Sequence, residues 1–312
     1  MLSEKNILVT GGAGFIGSHL VRQLSDAGAD VLAVDNCFAG SEALVPDSVR
    51  FEDIDLRDED VPALVQEFDP DGIVHLAALH YIPYCNDNPE ETFQVNVMGT
   101  RNLLAGARAV SDLETVVFAS SAAVYPPREK ANSETSETGP MDIYGETKLI
   151  GEELMRLFQR ETVTPTATAR LFNVYGPNET NEHLIPAVLK QVRRGDREIE
   201  LGNLTPKRDF IHVSDVAGAL TTLLSEFEEG YGTYNVGTGS EHSVREVVEK
   251  TSAALGEEIA ITQDDERVRE SDRPHLKADI SRMQAEFDWQ PSVEFVSGLR
   301  DLLQQDEEVL VT

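Results

Sequence analysis

An apolar run that empties into three spaced glycines constrains this chain more than any other feature. Residues 7–17 read Ile-Leu-Val-Thr-Gly-Gly-Ala-Gly-Phe-Ile-Gly, and an amphipathic segment follows from Ser18 to Gly28. The order is buried strand, tight turn, helix. Glycine at Gly11, Gly14 and Gly17 permits the turn, lets a pyrophosphate approach backbone N–H groups, and lets helix and strand pack closely. A glycine triplet alone is often only a turn, so the context matters. A second apolar run, Val31-Leu-Ala-Val34, follows and ends at Asp35, about 20 residues past the glycines, where an acid suits both ribose hydroxyls of an adenosine and repels a 2′-phosphate. Asp35, with Asn36 beside it, therefore points to NAD rather than NADP.

Further strand-like runs occur at 49–51, 72–78 and 115–120, separated by helical patterns at Val61–Phe68 and roughly Glu90–Val110. Such alternation predicts an α/β fold, a Rossmann-like doubly wound parallel sheet with ligands at the C-terminal strand ends. With 312 residues there is room for a second unit. The expected division is an NAD-binding domain over 1–172 and a smaller, interleaved α/β substrate domain over 173–312, with segments such as 208–237 returning to the first.

Tyr144-Gly-Glu-Thr-Lys148 opens a helical pattern, so a phenol and an ammonium stand one turn apart on one face. A cation about 4 Å from a phenol is worth roughly 4 kcal/mol, or about three pKa units downward, enough to make a base near neutrality. By itself this spacing is commoner as a solvated face or a packing pair.

Charge limits the partners. The chain has 56 acidic and 26 basic residues, a formal charge of −30, and only seven lysines. Nucleic acid and anionic membranes are repelled by such a surface, so neither is an expected partner. The acids are dispersed along every segment, which resembles the surfaces of proteins from salt-loving archaea. No stretch is long enough to span a membrane and no leader precedes the first strand, so a cytoplasmic location is expected. Cys37 and Cys85 form no C-x-x-C pair, the seven histidines show no ligand spacing, and no metal is expected. His75 and His212 read as satisfied core histidines.

Taken together, the glycine pattern, His75-Leu-Ala-Ala78, Asn96-Val-Met-Gly-Thr100, Ser120-Ser121-Ala-Ala-Val-Tyr125 and Tyr144-x-x-x-Lys148 resemble the extended short-chain dehydrogenases/reductases, specifically their nucleotide-sugar epimerase/dehydratase group. The resemblance continues through Arg170-Leu-Phe-Asn-Val-Tyr-Gly-Pro177, Lys207-Arg-Asp-Phe-Ile-His-Val-Ser-Asp215, Tyr234-Asn-Val-Gly-Thr-Gly239 and Trp289-Gln-Pro291, and so covers nearly the whole chain. It implies that Phe15 and Ile16 cover the pyrophosphate, that Asp55 and Leu56 meet the adenine, that Leu76, Ala77 and Ala78 line the cofactor, and that Asn96 supports this bed. On residue grounds alone the competing readings are a solvated acid for Asp55, in its acid-rich run, and a helix cap for Asn96. The same resemblance makes Ser121, Tyr144 and Lys148 the catalytic group, sets Phe172 against the nicotinamide, and gives Asn173, Arg208 and Arg269 the diphosphate of a nucleotide sugar, most readily a UDP-sugar.

Related dehydratases carry Asp-Glu directly after the hydroxyl residue, and related decarboxylases carry Glu. Here Ala122 and Ala123 follow Ser121, so the expected reaction is NAD-dependent 4-epimerisation. The alternatives are a dehydrogenase/reductase of the same family and a non-catalytic NAD-binding sensor. Pro126-Pro127 departs from the family's usual glycine, and Ser271 from its glycine before Asp272. Leu276 falls near a position where some epimerases use tyrosine to exclude N-acetylated sugars. The resemblance also implies a homodimer through helices near 90–110 and 145–162.

Overall fold

The computed structural model describes residues 2–264 and 274–309, with side chains as far as Gln304. Six strands, β1 (Asn6–Thr10), β2 (Asp30–Asp35), β3 (Arg50–Asp53), β4 (Gly72–His75), β5 (Thr115–Ser121) and β6 (Thr166–Leu171), form one parallel sheet with a seventh, Tyr231–Val236. From one edge the order is Tyr231–Val236, β6, β5, β4, β1, β2, β3. Chain progression reverses between β1 and β4, which opens a crevice at their C-terminal ends. The register sets Thr10 opposite His75 and His75 opposite Phe118, so β1 and β4 end at one level while β5 runs on to Ser121.

Helices cover both faces because the strands are apolar on both. Helices Phe15–Asp26 and Val213–Glu226 pack on one face through Leu20, Val21, Leu24, Val216, Leu220 and Leu223. Helices Val61–Phe68, Thr100–Ala107 and Ile143–Thr162 cover the other through Val65, Phe68, Leu103, Leu104, Met155 and Phe158. Beyond β6 the structure becomes a set of short sheets. Asn173–Tyr175 pairs with Phe210–His212, Glu198–Leu201 with Ala260–Gln263, and Lys207–Arg208 lies between His242–Ser243 and His275–Leu276.

Two sequence expectations need correction. The helix expected over 90–110 is broken into Pro89–Phe93, a wide π-helical turn over Gln94–Gly99, and Thr100–Ala107. The turn lets the Asn96 side chain reach sideways into the protein, a common use of such a bulge. His212 is only half-buried; its Nδ1 accepts from Ser214 N at 3.3 Å and caps helix Val213–Glu226. His75 is a core histidine, held between Thr10 Oγ1 at 2.7 Å and Thr100 Oγ1 at 2.8 Å.

Candidate active site

A cleft of about 1880 Å³ runs along the C-terminal strand ends and is lined by Gly11, Asp35 and Asp55 toward one end and Arg208 toward the other. Its glycine loop tolerates no side chains at two positions. Gly11 has φ +72°, and a Cβ there would lie 2.8 Å from Ala77 N; a Cβ on Gly17 would lie 1.9 Å from Gly11 O. Helix Phe15–Asp26 starts at Gly14, whose N–H bonds Gly11 O at 3.1 Å, and no side chain caps its first turn. Phe15, Ile16 and Gly17 line the cleft at this helix end, the ordinary site for a pyrophosphate. This cradle fits NAD.

Asp35 ends β2. Its carboxylate accepts from Ala13 N at 3.1 Å and Cys37 N at 2.9 Å, tying the glycine loop to the next loop. Burial holds its pKa above the ordinary value against those hydrogen bonds. Asn36 donates to Asp55 at 2.8 Å. Asp55 is half-buried; Arg57 grips both its oxygens, at 2.9 and 2.7 Å, and that hydrogen bonding holds its carboxyl down to about 2. Leu56, Leu76, Ala77 and Ala78 complete this part of the lining.

Ser121 is the last residue of β5; its hydroxyl accepts from Ala123 N at 3.1 Å and, with Tyr144, lines the cleft. Tyr144 stands in the first turn of helix Ile143–Thr162, which is capped by Asp142 at Gly145 N, 2.8 Å away. Gly145 brings that turn against the Ala123 backbone, since a Cβ there would lie 2.6 Å from Ala123 O. Lys148 lies one turn on; its Nζ donates to Ala119 O at 2.8 Å and sits 5.8 Å from the Tyr144 ring centroid.

Here the electrostatic expectation fails. Burial pushes the Tyr144 phenol well above its ordinary pKa, opposed by the Ser121 hydroxyl, and burial also pulls Lys148 down to about 7. Desolvation penalises both charged forms, and neither group figures among the causes of the other's shift. Lys148 is only 4% exposed.

Asn96 does not line the cleft. It is buried behind the wall, accepting from Leu79 N at 2.8 Å and donating to Leu79 O at 2.9 Å and Thr147 Oγ1 at 3.0 Å. It is neither a helix cap nor a surface contact, but a brace between the loop after β4 and the Tyr144 helix. Phe172 and Asn173 follow β6 along the cleft; Arg208 lies farther along, paired in register with Leu276. Arg269 lies outside the described residues, as do Ser271 and Asp272. Among the described residues no group of His, Cys, Asp and Glu could hold a metal ion, and no helix is long and apolar enough to cross a membrane.

Several residues escaped the sequence reading. Glu152 and Arg170 form a buried pair beneath Ser120, and His80, Glu179, Asn181 and His183 line the same cleft. Polar residues just past the end of β4 were a usable signal for His80. Glu152 gave none, because a glutamate on a helix is ordinarily solvated.

The fold is shared with known proteins. The profile of the NAD dependent epimerase/dehydratase family matches residues 7–237. A UDP-glucose 4-epimerase of Azospirillum brasilense is 31% identical over 95% of this chain and 90% of its own. The crystal structure of a Thermus thermophilus UDP-glucose 4-epimerase, a complex with NAD, superposes with a TM-score of 0.85 at 32% identity, covering 95% of this chain and 96% of that one. A UDP-N-acetylglucosamine 4-epimerase from Methanobrevibacter ruminantium, in complex with UDP-N-acetylmuramic acid, gives 0.89 at 27% identity, covering 98% and 99%. With its seven-stranded sheet, its glycine cradle and its match across most of its length, the chain belongs to the NAD-dependent epimerase/dehydratase family, and its cofactor is NAD.

Proposed function

We propose that this protein is a nucleotide-sugar 4-epimerase acting on a UDP-sugar. The observation that carries this reading is the pair Ala122 and Ala123, 2% and 5% exposed, directly after Ser121. Neither side chain can remove or deliver a proton, so the turn after Ser121 offers nothing for elimination or decarboxylation. In the proposed reaction Tyr144 takes the proton from the C4 hydroxyl while Ser121 hydrogen-bonds the same oxygen. NAD, when bound, would supply the hydride acceptor and then the donor, and the positive charge of its oxidised form would lower the pKa of the Tyr144 phenol that serves as base. Lys148 is assigned to the nicotinamide ribose, and Asn173, Arg208 and Arg269 to the diphosphate, where arginine's fork suits phosphate oxygens. The 4-keto sugar turns over before the hydride returns to its other face.

The test is a screen of nucleotide sugars, with product stereochemistry read by NMR and reduced cofactor followed by absorbance. Inversion at C4 without net NADH is expected. Water loss, or NADH accumulating in proportion to product, would replace the epimerase with a dehydratase or a dehydrogenase.

A homodimer is part of the same proposal. Ile150 and Leu157, 36% and 43% exposed, lie two turns apart on helix Ile143–Thr162, with Phe93 exposed on a helix packed beside it. Light scattering tests it. The dispersed charge of −30 supports a salt-rich cytoplasm as the working environment, and stability rising with salt concentration is the expected sign.

A further inference from the structure

Residues 177–183 leave the Asn173–Tyr175 strand and are tied to three separate elements around the cofactor crevice. Pro177 O lies 3.1 Å from His19 Nε2, and Asn178 Nδ2 lies 3.4 Å from Ser18 Oγ, both on the helix that follows the glycine loop. Thr180 Oγ1 reaches Ala39 O at 3.4 Å, in the loop after β2. Asn181 Nδ2 lies 3.0 Å from His80 Nε2, in the loop after β4. The Ala39 loop itself rests on the glycine loop, with Ser41 N bonded to Ala13 O at 3.0 Å. A segment held at these three places must cross the mouth of the crevice between β1 and β4. Asn178 makes the bend, at φ +70°, a conformation asparagine tolerates.

We propose that residues 177–183 are a strap that retains NAD, with the Asn181–His80 hydrogen bond as its latch. The inference rests on NAD as the cofactor and is independent of which sugar is turned over. Asn178, Thr180, Glu182 and His183 are exposed, and the segment is tied down by single hydrogen bonds and by the contacts of the His183 ring with His80 and Tyr81. Such a segment opens locally at far lower cost than the sheet beneath it. Cofactor exchange then waits on strap opening, while the sugar is free to enter from the Arg208 end of the cleft. An enzyme that must reclaim its own hydride gains from that arrangement. The latch requires His80 as an acceptor, and burial, which pulls its pKa down to about 4, keeps Nε2 free of a second proton near neutrality.

The test loads the protein with NADH, mixes it with excess NAD, and follows the loss of bound-NADH fluorescence. Asn181→Ala is expected to speed release about fivefold and Thr180→Val by a smaller factor, the scale of one hydrogen bond. Amide exchange read by mass spectrometry gives an independent measure. In the wild type, exchange over 177–183 should slow when NAD binds, and Asn181→Ala should lose that slowing with β1 and β5 unchanged. Release within about twofold of wild type in both variants, or exchange over 177–183 indifferent to NAD, overturns the strap. If altered β1 and β5 exchange shows that Asn181→Ala has disturbed the fold, Thr180→Val decides.

Discussion

Ser120 donates a 2.6 Å hydrogen bond to Glu152, joining the strand that ends in Ser121 to the helix that carries Tyr144 and Lys148. Arg170 holds the same carboxylate through two hydrogen bonds, at 2.9 and 2.7 Å, and reaches Tyr125 Oη at 2.9 Å; Tyr125 in turn donates to Asn235 at 2.7 Å. Glu152, Arg170, Tyr125 and Asn235 are all buried. This network ties β5, β6 and Tyr231–Val236 to one helix and thereby sets where Tyr144 stands against Ser121.

Removing one partner strands a buried charge. Glu152→Leu is expected to lower unfolding stability by about 3–5 kcal/mol, because Arg170 keeps its desolvation penalty and loses its counter-ion. Urea midpoints check this, and Glu152→Gln should cost less. Glu152 also raises the Lys148 pKa against burial, so Glu152→Gln should move that titration below about 7.

Tyr144→Phe leaves the glycine cradle and Asp35 untouched. Turnover should fall by roughly 10²–10⁴-fold, the usual worth of a positioned acid–base group, while NAD affinity stays near wild type. Calorimetric titration with NAD and initial rates separate the two. Unchanged turnover would remove Tyr144 from the chemistry.

Gly17→Ala puts a Cβ where Gly11 O stands 1.9 Å away. Either the turn or the helix must shift, at a cost of about 1–3 kcal/mol of overpacking. NAD binding should weaken by at least the same amount, since the loop it rests on is what moves. Titration of the variant with NAD checks this.

His75 is 1% exposed and burial pulls its pKa down to about 3. The unfolded chain binds that proton at an ordinary histidine pKa, so the unfolded state gains protons first on acidification. The group's contribution is present above pH ~6.5 and is lost as pH falls toward about 3, at up to ~1.4 kcal/mol per pH unit. His75→Gln should flatten the stability slope between about pH 6.5 and 5 relative to wild type, a window above most carboxylate titrations.

Leu276 is buried against the cleft beside Arg208. Under the proposed function, UDP-N-acetylglucosamine should be turned over, and Leu276→Tyr should reduce that rate relative to UDP-glucose by about tenfold or more. Complete rejection of the N-acetylated sugar by the wild type would contradict this.

Local patterns carried what was legible in the chain. The glycine loop, Asp35, and the one-turn spacing of Tyr144 and Lys148 depend on residues close in sequence, whose strand, turn and helix preferences hold without knowledge of their neighbours in space. The alternation of strand and helix likewise specified a doubly wound sheet, since apolar strands buried on both faces need helices on both sides. The Asn96 brace was not legible, because the wide turn that aims it exists only where Leu79 and Thr147 are there to receive it.

Tertiary structure decided the rest, and the reason is the same throughout. Whether Asp55 is solvated or gripped, whether Glu152 faces water or Arg170, and whether 177–183 is a loose loop or a strap all turn on contacts between distant segments. The direction of the Tyr144 shift is the clearest case. Sequence alone determined that a phenol and an ammonium share a helix face, which argues for a lowered pKa; folding buried both, and desolvation reversed the sign.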